Sequence, residues 1–260
     1  MKLPIFQIDA FADGPFTGNP AAVVPMAEWL EEEKLQAIAA ENNLSETAFF
    51  VGSQGSYALR WFTPNCEVDL CGHATLAAAH VILSTMEPGR EEVTFRTLSG
   101  GLTVRREDDL YSMDFPALTG EDVEAPPGLA EILGVNPIEL RMGKDLLALV
   151  DSVETVRRAA PDFARLSAEV EARGVILTAP GRKYDFVSRF FAPRAGIPED
   201  PVTGSAHCML APFWAKRLGK TRFTARQLSL RGGTVWCEVK GDRVILKGHA
   251  VTYLEGVILV

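Results

Sequence analysis

One pattern of apolar and polar positions occurs twice along the chain. Arg60-Trp61-Phe62-Thr63-Pro64 closes an apolar run, passes through a polar turn, and leads to Cys71-Gly72-His73-Ala74-Thr75-Leu76-Ala77. Arg189-Phe190-Phe191-Ala192-Pro193 does the same and leads to Thr203-Gly204-Ser205-Ala206-His207. Each copy reads as a strand end followed by a Gly that opens a helix. Ala74 to Leu83 is apolar nearly all round, and a helix of that kind is buried on every side. The second copy predicts its helix from Ser205 to Leu218.

Around these two helices the pattern predicts mostly short strands. Residues 4–12 form an opening strand, Asp13-Gly14-Pro15 and Gly18-Asn19-Pro20 are turns, and Ala21-Ala22-Val23-Val24 is a short buried strand. Leu30, Leu35, Ile38 and Ala39 recur at helical spacing between Glu28 and Asn42, with acidic residues near the start. Glu46 falls where this helix gives way to the β-rich run Ala48-Phe49-Phe50-Val51, and Ser56 to Phe62 is the next strand. Glu92–Thr97, Gly101–Arg106 and Tyr111–Phe115 are strands separated by Gly- and Asp-containing turns. Residues 117–130, rich in proline, read as a linker. A short helix at Leu129–Leu133, strands near 139–150 and 174–178 and a helix near 161–173 follow, and strands fill the end of the chain to an apolar last segment, His249–Val260. The duplication predicts two similar halves, each a curled sheet around one buried helix, related by a pseudo-twofold axis with a cleft between them. The halves are expected at residues 1–118 and 119–248; the apolar strand 249–260 must pair with a neighbour, and the pattern leaves open whether it returns to the first half.

Bulk properties narrow the function. The chain has 260 residues, 47% apolar and 23% charged, which fits a globular protein with a sizeable core in one large or two medium domains. A net charge of −8 with no Lys/Arg cluster argues against nucleic acid as partner. No apolar run reaches the length of a membrane span and the first residues lack a signal-peptide pattern, so no membrane partner and a cytoplasmic location are expected. Cys66, Cys71, Cys208 and Cys237 are too sparse for a disulfide framework. Cys66, Cys71 and His73 could offer metal ligands, but no partner pair with zinc spacing stands elsewhere, and no metal is expected.

Candidate chemistry gathers at the two Gly-led helix starts. Free N–H groups there favour a carboxylate or a developing enolate. His73 and Ser205 place polar side chains at the first helical positions, although Ser205 would serve equally as a plain N-cap. Asp200, in Glu199-Asp200-Pro201-Val202-Thr203, could orient His73, or form an Asx turn before proline. Glu46 is the candidate acid/base if Leu44, Ala48 and Phe49 bury it; a surface Glu in a turn is the alternative. Cys71 at a helix start could be an activated thiolate or a small buried residue.

Together these segments resemble the phenazine-biosynthesis PhzF-like family, within the diaminopimelate-epimerase-like fold. The matching segments are Asp9-Ala10-Phe11, Gly18-Asn19-Pro20-Ala21-Ala22-Val23, Asn43-Leu44-Ser45-Glu46-Thr47-Ala48-Phe49, Phe62-Thr63-Pro64, Gly72-His73-Ala74-Thr75-Leu76, and Asp200-Pro201-Val202-Thr203-Gly204-Ser205-Ala206-His207. The resemblance implies an α+β fold of two pseudo-symmetric domains, each a β-barrel-like sheet around a central helix, often paired as homodimers. It implies an isomerase that needs no cofactor and acts on a small carboxylate-bearing molecule. Glu46 would be the general acid/base, His73 and Asp200 its polar support, and Asn19, Gly72, Gly204 and Ser205 the substrate-binding positions. The epimerase relatives of this fold use two cysteines; Cys71 matches one position and Thr203 replaces the other. A racemase or epimerase using Cys71, and a binding module that keeps the same fold, are the alternative functions.

Overall fold

The computed structural model describes residues 1–260 and divides into two compact units: Met1–Asp114 with Lys247–Val260, and Phe115–Leu246. The divisions fall there rather than after residues 118 and 248. No helix is long and apolar enough to cross a membrane.

The first unit opens with β1 (Lys2–Ala10) and β2 (Asn19–Met26), an antiparallel pair in which Ala10 faces Asn19 and Phe6 faces Val23. Helix α1 (Glu32–Asn42) carries the chain to β3 (Glu46–Ser53), which runs parallel to β2. Then come β4 (Ser56–Phe62), antiparallel to β3, and the two-residue β5 (Glu67–Val68). Helix α2 (Gly72–Val81) follows, and its last turn widens into a π-turn at Ile82–Met86. The meander β6 (Glu92–Thr97), β7 (Gly100–Glu107) and β8 (Leu110–Pro116) completes this stretch.

Sequence pattern explains why α2 lies inside the sheet. His73, Ala74, Thr75, Leu76, Ala77, Ala78, Ala79 and Val81 are all buried, so no face is left for water. Its alanines let strands approach closely, and α2 packs against β1, β2, β3 and β7. Each large apolar side chain buried in this way contributes about 1.5–3 kcal/mol. A separate core cluster sits under α1, where Leu35, Ile38 and Ala39 meet Val24, Phe49 and Phe62.

The second unit runs through β9 (Glu121–Asp122), α3 (Leu129–Leu133), β10 (Glu139–Met142) and β11 (Leu146–Leu149). The continuous strand expected near 139–150 is broken because Gly143 N–H turns back to the Asp145 carbonyl. Helices α4 (Val153–Arg158) and α5 (Phe163–Glu169) are capped by Ser152 and Asp162, whose side-chain oxygens accept from first-turn N–H groups. Strands β12 (Val175–Pro180), β13 (Phe186–Ala192) and β14 (Ile197–Asp200) precede α6 (Gly204–Leu218). Strands β15 (Arg222–Gln227), β16 (Gly233–Lys240) and β17 (Arg243–Gly248) follow. Helix α6 is buried along most of its length; Trp214 stacks on Phe186 of β13 and donates its indole N–H to Thr178 Oγ1 of β12. The last strand, β18 (Ala250–Leu259), pairs antiparallel with β1 and belongs to the first unit, where it also touches α2.

The repeated strand ends carry one device in both units. Arg60 forms two hydrogen bonds to the Glu67 carboxylate, at 2.7 and 2.6 Å, with its guanidinium 5.0 Å from the Phe62 ring centre. Arg189 forms the same fork to Glu199, at 2.6 and 2.9 Å, over Phe191 at 4.8 Å. Forked Arg–carboxylate pairs fix direction as well as distance, so each aromatic strand end is tied to the turn that follows it.

Candidate active site

Three local choices in the first unit bring four polar side chains together. Gly18 has φ +71°, and a Cβ there would lie 2.3 Å from the Ala10 carbonyl oxygen. Glycine is therefore required for the turn that delivers Asn19 to the start of β2. Asn43 ends α1 in the left-handed region at φ 49°, a conformation Asn tolerates, and releases the chain toward Glu46 at the head of β3. The parallel register sets Ala21 opposite Glu46 and so keeps Asn19 and Glu46 at the same end of the sheet. Cys71 and His73 stand at the start of α2.

The result is a chain of contacts centred on one imidazole. His73 Nε2 lies 3.1 Å from Glu46 Oε2. On the other side of the ring, Nδ1 lies 3.5 Å from Cys71 Sγ and 3.3 Å from Asn19 Nδ2. The His73 side chain is 7% exposed and that of Glu46 12%, so the pair is shielded but reachable at the carboxylate. Thr75 locks the helix start by donating its hydroxyl to the Cys71 carbonyl at 2.5 Å.

The electrostatics follow from burial and closeness. Burial pushes the Cys71 thiol up, the Glu46 charge pushes the same way, and His73 and the Ala74 N–H pull back less strongly. At His73 burial works against the charged ring, but Cys71 and Glu46, as charges and hydrogen-bond partners, outweigh it and raise its pKa well above the ordinary value. Donor atoms of Glu46, Cys71 and His73 all lie within 4.8 Å of one another. The imidazole turns a different nitrogen to each neighbour, an arrangement suited to passing a proton along the line more than to joint ligation of one ion.

The second unit holds its own polar cluster at the start of α6. Asp200, 8% exposed, accepts the Thr203 hydroxyl at 2.5 Å. Gln227, fully buried, accepts the Thr203 N–H at 2.9 Å and donates to the Asp200 carbonyl at 2.8 Å and to Thr203 Oγ1 at 3.1 Å. His207 donates from Nδ1 to the Thr203 carbonyl at 2.8 Å. A carbonyl only accepts, so Nδ1 carries the proton. Nε2 of that ring is buried without a partner, and burial drives the pKa down to about 4. Ser205 Oγ receives the Arg173 guanidinium at 3.0 Å, while Arg173 also forks onto the buried Asp145 at 2.9 and 2.6 Å.

Measured against the sequence, Glu46 and His73 are in contact at one helix start, which Gly72 opens; at the other, which Gly204 and Ser205 open, Asp200 pairs with Thr203 while Ser205 pairs with Arg173. Asn19 is fully buried and faces the imidazole. Two residues escaped the sequence reading. Gln227 occupies an inward position of β15, in phase with the buried Phe223 and Ala225, and a polar residue in that phase was the available signal. Arg173 sits in a loop between α5 and β12 with no pattern to mark it.

Each unit thus encloses one buried helix, and a shielded carboxylate–imidazole pair stands at the start of the first. The chain belongs to the phenazine biosynthesis-like protein family, whose model matches residues 8–256. It is 55% identical over 256 residues to an uncharacterised isomerase of Pseudomonas aeruginosa, covering 98% of each chain. It superposes with TM-score 0.97 on a crystal structure of a phenazine biosynthesis protein of the PhzF family from Enterococcus faecalis, at 46% identity and 100% of both chains. A hydroxyproline epimerase from Agrobacterium vitis shares the fold alone, at TM-score 0.65 and 11% identity over 99% of this chain and 92% of that one.

Proposed function

We propose that this isomerase moves a proton between carbons of a small carboxylate-bearing substrate without a cofactor, with Glu46 as general acid and base. The observation that carries the reading is the Glu46–His73 contact of 3.1 Å between two largely buried side chains. The ionised carboxylate takes a proton from a substrate carbon, and the electron pair left behind spreads into the adjoining unsaturated system and carboxylate. Glu46, now protonated, returns the proton to a different carbon. His73, whose pKa is raised well above the ordinary value, holds the carboxylate in place as an ion pair. The open N–H groups at a Gly-led helix start favour the negative charge that develops. One positioned acid/base of this kind accelerates reaction by about 10²–10⁴. Asp200 is proposed as polar support, with Gly204 and Ser205 contributing the corresponding helix start of the second unit.

The test begins with a thermal-shift screen of small carboxylic acids, because a ligand that binds the native state raises its apparent stability. A stabilising acid is then incubated in deuterated water. Wild type should introduce deuterium at carbon, and Glu46→Gln should bind the acid and introduce none. Exchange that survives Glu46→Gln would refute the assignment.

A second reading is supported by Cys71, whose sulfur reaches His73 Nδ1 at 3.5 Å: a racemase or epimerase with the thiol as one base. Full turnover in Cys71→Ala removes it. A homodimer is also proposed, supported by the exposed Tyr253, Val257 and Leu259 of β18; light scattering on the purified chain decides between one and two copies.

A further inference from the structure

We propose that Arg173 is a positioning residue for Ser205: its guanidinium takes up the oxygen of the Ser205 hydroxyl and so reserves the hydrogen as a donor to an acidic group of the substrate. The inference deepens the function proposed above and rests on its placement of Ser205 in substrate binding. It adds the residue that gives this serine its direction.

Ser205 is not the cap of its helix. The cap position of α6 is Thr203, which makes no side-chain cap bond, and Ser205 is the second residue inside. Ser205 Oγ instead receives the Arg173 guanidinium at 3.0 Å. A guanidinium only donates, so Oγ is the acceptor and the hydroxyl hydrogen points away from Arg173. No other group of the chain is bonded to that hydroxyl, and the residue is half-buried. Its hydrogen is therefore left for a ligand or water beside the free N–H groups of a helix start, a place that favours a carboxylate. Arg173 is itself fixed. Two bonds, at 2.9 and 2.6 Å, fork onto Asp145, whose side chain is 1% exposed, and the guanidinium lies 5.6 Å from the Phe190 ring centre. Such a fork sets direction as well as distance.

The repeat gives this contact its counterpart in the first unit. Phe62 and Phe191 are matched strand ends; Phe62 faces Thr47 of β3, and Phe191 faces Val175 of β12. One residue earlier, the counterpart of Glu46 is Gly174. The Phe190 ring occupies the space a side chain would need there, since a Cβ on Gly174 would lie 2.4 Å from Phe190 Cζ. The charged group comes instead from the next residue back, Arg173. In the first unit the carboxylate of Glu46 meets His73, the second residue of α2. In the second unit the guanidinium of Arg173 meets Ser205, the second residue of α6. The two helix starts are thus served by charges of opposite sign: a carboxylate able to take a proton at one, and a cation able to turn a hydroxyl toward an anion at the other.

The experiment is a double-mutant cycle on the whole chain, read as dissociation constants by calorimetry. The probes are crotonate, a small carboxylate with an adjoining double bond, and the acid that binds best in the thermal-shift screen. Arg173→Lys keeps a positive charge beside Asp145, but a point-like ammonium cannot fork onto the carboxylate and hold Ser205 as well. Ser205→Ala should weaken binding by about 10-fold or more, the loss of one hydrogen bond to a charged group. Arg173→Lys should weaken it by a similar factor, and the double variant by no more than either single one. Wild-type affinity in Arg173→Lys overturns the proposal, whether or not the melting temperature falls. Losses that multiply in the double variant overturn it as well, because the two residues then act separately. So does a wild type that binds neither probe. Should Arg173→Lys fail to fold, Asp145→Asn, which loosens the fork and leaves no buried charge, takes its place in the cycle with the same expected outcomes. Deuterium exchange surviving in Glu46→Gln would remove the acid/base reading and leave the coupling of Arg173 to Ser205 to be judged by the cycle.

Discussion

Replacing Gln227 by Met tests whether the turn into α6 is held by one buried side chain. Met has nearly the same length and volume, so packing is kept while every polar atom is lost. Gln227 supplies an acceptor to the Thr203 N–H and donors to the Asp200 carbonyl and the Thr203 hydroxyl, and the residue is fully buried. The hydroxyl retains its bond to Asp200 Oδ2. The loss therefore falls on two backbone groups, and a buried polar group left unsatisfied costs about 1–3 kcal/mol. The expected destabilisation of the second unit is about 2–6 kcal/mol. Urea unfolding followed by tryptophan fluorescence reads it, since Trp214 and Trp236 belong to that unit. Gln227→Glu, which restores an acceptor to the Thr203 N–H but no donor to the Asp200 carbonyl, should recover part of the loss. A change below about 1 kcal/mol in Gln227→Met would show that water or backbone relaxation satisfies the turn and that Gln227 does not hold it.

Other outcomes follow from the same geometry. His207 is buried neutral, with its pKa lowered from 6.5 to about 4. The unfolded chain therefore binds a proton first, so the stability from this group is complete above pH 6.5 and is lost as pH falls toward 4. Wild type should lose about 2–3 kcal/mol more than His207→Gln between pH 6.5 and 4.5; parallel pH curves for the two proteins would contradict this. Gly18→Ala places a Cβ 2.3 Å from the Ala10 carbonyl at φ +71°, and should cost about 2 kcal/mol or more, read as a lower melting temperature; an unchanged melting temperature would count against the required turn.

Much of the architecture was written in the chain as a repeat. Arg60 and Arg189, each two residues before an apolar aromatic, marked matched strand ends, and the structure gives each the same carboxylate fork. The all-apolar stretch after Gly72 announced a helix enclosed by strands because no other surroundings bury every face. The limits were less legible. Helix α2 begins at Gly72, ahead of the expected start at Ala74, and gives way to a wide turn at Ile82 before the expected end at Leu83, a change in hydrogen bonding that apolar periodicity does not encode. The helix expected near 161–173 is confined to Phe163–Glu169, because Asp162 caps its start and Val170 returns to extended backbone. The residue types of the site were visible, yet their partners were not. That Asn19 meets His73 depends on the packing of α2 against β2, and that Gln227 clamps Thr203 depends on a strand 24 residues away. Long-range contacts of this sort are set by tertiary register, which a local pattern cannot report.

The most direct measurement is deuterium incorporation at carbon of a bound carboxylic acid in heavy water, run side by side with wild type and Glu46→Gln. Incorporation by wild type and its loss, by about 10²-fold or more, in a Glu46→Gln protein that still binds the acid is the result expected. Equal incorporation by the two proteins would show that the proton travels by another group.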